Sequence, residues 1–254
     1  KMVLMASCLV QALGCPETPS AVDAGLEDVG QDVALSQDVT MPDVGDGIDA
    51  SQIDTDVPPV EGPGLGIDYS ASEAGIEARY EPESSEWTST GWPSDRYRNA
   101  DGQVDLSNFP NPGTDLLELY LAYGEEVLDG FGLNSAVYVQ FDGFLDAASL
   151  PAPEETLDEL SLVQLVNVTP SSPRYGDRRP LTFRTYDYGT DFYYLPGTLA
   201  ILPQYGLPLA EGTTYCAIVT RGIKDDAGHY LSQNPVLAEG LQTDPHLAPL
   251  RDWL

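Results

Sequence analysis

The stretch that decides the fold is Gly212–Leu231, "GTTYCAIVTRGIKDDAGHYL". Its first half, "TTYCAIVTRG" at 213–222, is apolar on both faces and rich in Thr, Tyr, Ile and Val, which fit a pleated, buried strand. Its second half turns on Asp225, Asp226, Ala227 and Gly228. An aspartate carboxylate can accept turn amides, and a glycine takes positive φ without steric penalty. A strand feeding a tight hairpin is expected, with the Tyr215 ring packed and its hydroxyl meeting backbone at the rim. Cys216 falls mid-strand with no basic neighbour to lower its pKa, so it reads as a buried, inert thiol.

Similar runs lie upstream. "SAVYVQF" (135–141) puts Val137, Val139 and Phe141 on one face and stops at Asp142-Gly143. "SLVQLVNV" (161–168) is nearly apolar on both faces, and "LTFRTYDY" (181–188) alternates Leu181, Phe183 and Thr185 inward. "TLAILP" (198–203) is stopped by Pro203. Turn residues separate these runs, with no helix-period segment between one and the next. Parallel strands need crossover helices, so the expected fold class is all-β, an antiparallel β-sandwich. One short helix should precede it, "DLLELYLAYGEE" (115–126), with Thr114 and Asp115 as caps and Glu118 completing a capping box.

The 254 residues carry 41 acidic and 11 basic side chains, a net charge of -30. No Lys, Arg or His lies between Lys1 and Arg79. Such a charge repels nucleic acid and anionic lipid surfaces. Asp-Val recurs at 28, 32, 38, 43 and 56 with Gly, Pro and Ser between. That composition cannot bury enough apolar surface to fold, so an extended, disordered acidic linker is expected over 16–91. The folded body is then expected over 92–243, with 244–254 opening a truncated helix or a following domain. Asp43, Asp46, Asp49 and Asp54 cluster around Gly47, but at every third position and with no closing Glu. Calcium loops space their ligands at every second position, so no metal or other cofactor is expected.

The N-terminal run "MVLMASCLVQALGC" is too short to cross a bilayer as a helix and has the length of a secretory leader core, giving a signal peptide over 1–15. "ALGC" at Ala12–Cys15 resembles a bacterial lipobox. The resemblance implies lipidation of Cys15 and a lipid bilayer as partner. Pro16 stands where an inner-membrane retention Asp would stand, which implies the outer membrane or cell surface. An ordinary cleaved leader would instead give a secreted or periplasmic protein.

The hairpin stretch extended upstream, "PLAEGTTYCAIVTRGIKDDAGHYL", resembles the final hairpin of bacterial S-layer-type Ig-like domains through Leu209, Gly212, Thr213, Tyr215, Lys224, Asp225, Gly228 and His229. "LDGFGLNSAVYVQFDGFLDAASLP" (128–151), "WPSDRYRNADG" (92–102) and "FPNP" (109–112) are similar to the same Ig-like region of secreted or lipid-anchored bacterial proteins, many of which continue into an α/β-hydrolase. The resemblance implies an Ig-like sandwich, with Tyr215, Asp225 and Gly228 as its structural hairpin residues. It also implies a hydrolase domain beyond Leu254.

No Gly-x-Ser-x-Gly nucleophile elbow occurs in the chain, and its two histidines, His229 and His246, read as surface residues, so no catalytic residue is expected. The function expected is a non-catalytic spacer or support module of an envelope lipoprotein. A stand-alone surface binding or structural lipoprotein is the alternative, contacting glycan or protein partners through "TYDYGTDFYYLPG" (Tyr186, Tyr188, Phe192, Tyr193, Tyr194). Arg174, Arg178 and Arg179 form the strongest basic patch and are expected to make local ion pairs. Asn167-Val-Thr resembles a glycosylation sequon.

Overall fold

The computed structural model describes residues 74–188 and 193–254 in full, and residues 3–11 by backbone. Cys15, the Asp-Val repeats, the Asp43–Asp54 cluster and Phe192 lie outside the described residues.

The described residues form six strands: β1 (Val3–Gln11), β2 (Val137–Gln140), β3 (Val163–Asn167), β4 (Leu181–Tyr186), β5 (Thr198–Pro203) and β6 (Thr213–Thr220). They form two three-stranded sheets in the orders β1-β6-β3 and β2-β5-β4. Every pairing between these strands is antiparallel. The described body is therefore β-rich, and β2 to β6 fall on the runs singled out by their alternation. Both sheets contribute to one core cluster, with Val137, Leu181, Leu199 and Ile201 from one and Val163, Leu165, Val166 and Val219 from the other.

Strand β3 is buried along its whole length, including Gln164 and Asn167. Burial of those two amides is tolerated because each is hydrogen-bonded. Gln164 donates to the Glu159 and Ser161 carbonyls at 3.0 and 2.9 Å and accepts from Arg178 Nε at 2.9 Å. Asn167 donates to Ser172 Oγ at 2.9 Å and accepts the Thr169 amide at 3.0 Å. With Asn167 1% exposed, its amide closes a turn and is not presented for glycosylation.

The structure departs from the sequence expectations at four places. First, the folded body begins well before Trp92. Ala78 and Tyr80 belong to the core, and Ala78 bridges Phe141. This segment lacks an alternating run of its own and is ordered by what it packs against. Second, α1 (Asp115–Val127) is followed after the hairpin by α2 (Pro235–Thr243), which was not expected, and then by α3 (Ala248–Trp253), which lies within the 244–254 segment. Asn234 caps α2 by accepting the Val236 and Leu237 amides, with Pro235 in the first turn. Leu247 and Leu250 are buried, so the residues after 243 belong to this body. Third, the α1 cap is not the expected box: Thr114 occupies the N-cap without a side-chain bond, and Asn111 Oδ1 instead accepts the Gly113 and Thr114 amides.

The fourth concerns one edge of β6. Residues 3–11 run antiparallel along it, in a register that sets Cys8 directly across from Cys216. Cys216 is disulfide-bonded, not a free thiol. Facing positions on paired antiparallel strands lie within the Cα separation a disulfide can bridge. A nine-residue apolar run has the length of a leader core and equally that of a buried strand, and sequence periodicity does not separate the two.

Candidate functional site

The hairpin after β6 is held by its aspartate. Asp225 Oδ1 accepts the Ala227 and His229 amides at 3.0 and 2.7 Å, and the backbone closes through Asp225 N to His229 O at 2.9 Å. Asp225 is 4% exposed, and its other oxygen lies 3.5 Å from His229 Nδ1. Gly228 sits at φ +86°, a left-handed conformation that L side chains adopt at a penalty. Lys224 bridges Tyr230 across the turn and places its ammonium 5.1 Å from that ring. All the carboxylate's bonds hold the loop's shape.

At the start of β6, Tyr215 is buried and its hydroxyl accepts the Ala210 amide at 3.2 Å and an Arg179 N–H at 3.1 Å. Arg178 donates to Gln164 and lies 5.7 Å from the Trp253 ring. Among the described residues, the contacts of Arg178 and Arg179 are thus hydrogen bonds to neutral groups and ring faces rather than the expected ion pairs. They order the chain between β3 and β4 against β6 and α3.

One concavity, a cavity of about 410 Å³, is lined by Tyr80, Arg96, Glu239, Gly240, Asp244 and His246 among others. Tyr80 donates its hydroxyl to Asp244 Oδ2 at 2.5 Å, and the Arg96 guanidinium is paired with the same oxygen. Burial pushes the Tyr80 phenol up, which suits a hydroxyl that donates. His246 is lowered by burial and by the Arg96 charge, so its neutral form is favoured here. Gly240 allows the close approach: a Cβ there would stand 3.2 Å from Tyr80 Cε1. The Asp244 oxygen already accepts a phenol and a guanidinium, and an arginine matched by that aspartate has little charge left for an anionic ligand. The arrangement acts as a clamp. Local sequence gave no sign of it, since Tyr80 and Asp244 are 164 positions apart.

On the face of β2-β5-β4 away from the core, two tyrosines of the Tyr-rich stretch, Tyr186 and Tyr194, meet each other. Tyr186 stacks on Tyr194 at 4.4 Å and 11°, Tyr194 reaches the Tyr138 ring at 5.3 Å, and Arg184 lies 5.2 Å from the Tyr186 ring. Burial pushes the Tyr138 phenol up, reinforced by the Tyr194 hydroxyl at 3.4 Å. Tyr193 packs on Phe109, which joins Trp87 and Trp92. These rings stack on protein neighbours, while Tyr188 stands 83% exposed.

Among the described residues, no group of three or more His, Cys, Asp or Glu side chains is placed to hold a metal ion, and no helix is long and apolar enough to cross a membrane. No family model, curated protein or solved structure matches this chain.

Proposed function

We propose that this chain is the non-catalytic Ig-like module of a bacterial cell-envelope lipoprotein, serving as spacer and support for a larger secreted hydrolase. The observation that carries the reading is Tyr215. Ig-type sandwiches keep a tyrosine near a strand start whose hydroxyl bonds backbone a few residues upstream. Tyr215, third in β6, does so with Ala210. The single core shared by two antiparallel sheets supports the finer reading as a sandwich. The lipobox-like "ALGC" supports a lipid anchor at Cys15, and the self-repelling acidic segment behind it supports a tether.

Metabolic labelling with a fatty-acid analogue tests the anchor: label should enter the wild type and be absent from Cys15→Ala. The reading frame past Leu254 tests the support role. A Gly-x-Ser-x-Gly elbow there fits it, and an early stop codon refutes it in favour of a stand-alone surface binder. That second reading has one observation of its own, the solvent-facing ring of Tyr188 beside the Tyr186–Tyr194 stack. Hydrolysis of p-nitrophenyl esters by the 254-residue chain, lost on mutation of one of its serines, would defeat both.

A further inference from the structure

Helix α1 carries its longest apolar stripe on the side facing water. Leu116, Leu119, Tyr120, Tyr123 and Val127 are 63%, 66%, 63%, 61% and 46% exposed. At a helical period they fall within about 100° of arc, the width of a stripe that normally faces a core. The core is instead met from another side of the helix. Gly124, the helix's buried residue, lies so close to Leu106 that a Cβ would stand 2.9 Å from its Cδ1, and Leu121 packs against the core nearby. The five exposed side chains together make an apolar stripe of about a few hundred Å², the size of the largest patch on a typical monomer, which is often functional.

We propose that this stripe is a docking surface for a cationic amphipathic segment of another protein, one that interleaves apolar residues with Lys or Arg. Charge selects the occupant. The helix's four charged residues, Asp115, Glu118, Glu125 and Glu126, are all acidic. A second copy of the chain would bring an identical acidic helix and a net charge of -30, and the chain's own N-terminal acidic segment is repelled in the same way. An anionic lipid surface is disfavoured on the same ground. A patch smaller than the roughly 800 Å² a standard interface takes from each partner points to reversible docking. The inference stands on α1 alone and goes beyond the spacer role.

The test is calorimetric titration of the whole chain with a synthetic Leu/Lys amphipathic helix of about 18 residues, long enough to fold on contact, and with its Leu/Glu counterpart. Wild type should bind the Leu/Lys peptide reversibly and ignore the Leu/Glu one. Leu119→Ser/Tyr123→Ser should weaken binding by about tenfold or more, as removal of central apolar anchors does. Asp115→Lys/Glu126→Lys should weaken it too and flatten its salt dependence. Because the stripe is exposed, circular dichroism should be unchanged. If the double serine variant misfolds, Tyr120→Ser alone carries the comparison. Undiminished binding by the stripe variants would reduce the effect to the chain's general charge and overturn the proposal. Equal binding of the Leu/Glu peptide would do the same, as would sedimentation showing a wild-type dimer that the serine variant abolishes.

Discussion

The hydroxyl of Tyr80 donates to the Asp244 carboxylate at 2.5 Å, joining the first described stretch of the body to the turn between α2 and α3. Both partners are buried, and Arg96 bonds the same carboxylate oxygen. Removing one member of a buried, charge-assisted set leaves its partner desolvated and unsatisfied. Tyr80→Phe is expected to lower the unfolding free energy by about 1–3 kcal/mol. Asp244→Ala, which strands both Tyr80 and Arg96, should cost more. Urea unfolding of the two variants checks the order.

His246 sets a pH dependence. Burial first, and the Arg96 charge second, hold its folded pKa below the 6.5 of a free imidazole. The unfolded chain then binds more protons between the two values, so stability is full above about pH 6.5 and is lost as pH falls through the folded value. His246→Gln should remove that slope and leave stability above pH 7 nearly unchanged. Thermal melts from pH 7.5 down to pH 5 would show both.

The hairpin separates two physical effects. Asp225→Ala leaves the Ala227 and His229 amides without their acceptor, for a loss of about 1–3 kcal/mol. Gly228→Ala finds open space for its Cβ and is penalised by its positive φ alone, by about 1 kcal/mol. Gly228→Asn, which tolerates that conformation better, should recover part of it.

Cys216 reports on the N-terminal run. In a chain that retains residues 3–11, alkylation of Cys216 after denaturation should require prior reduction. In a lipoprotein cut ahead of Cys15, the same residue should react without reductant. Peptide mapping of alkylated protein from each source reads this directly.

The strands were legible because alternation and turn residues are local. Val137, Val139 and Phe141 point inward as their period demands, and Asp142-Gly143 stops the run. The hairpin was legible for the same reason, since the Asp225 bonds and the Gly228 φ are contained within a few residues. What depended on distant partners was not. Ala78 and Tyr80 sit in a polar, acidic stretch and are recruited by Phe141 and Asp244. Helix α2 is nine residues long and leans on Leu237 against the core more than on propensity. The arginines near 178 misled the expectation because their partners, Gln164 and the rings of Tyr215 and Trp253, carry no opposite charge to announce them.

Strand β6 lies between β1 and β3, so maturation at Cys15 would also be an act of unzipping. Without residues 3–11, every second residue of β6 would show water its amide and carbonyl on one flank, and an open flank invites a donor strand. The peptidase that frees such a protein would thereby prime it to accept one.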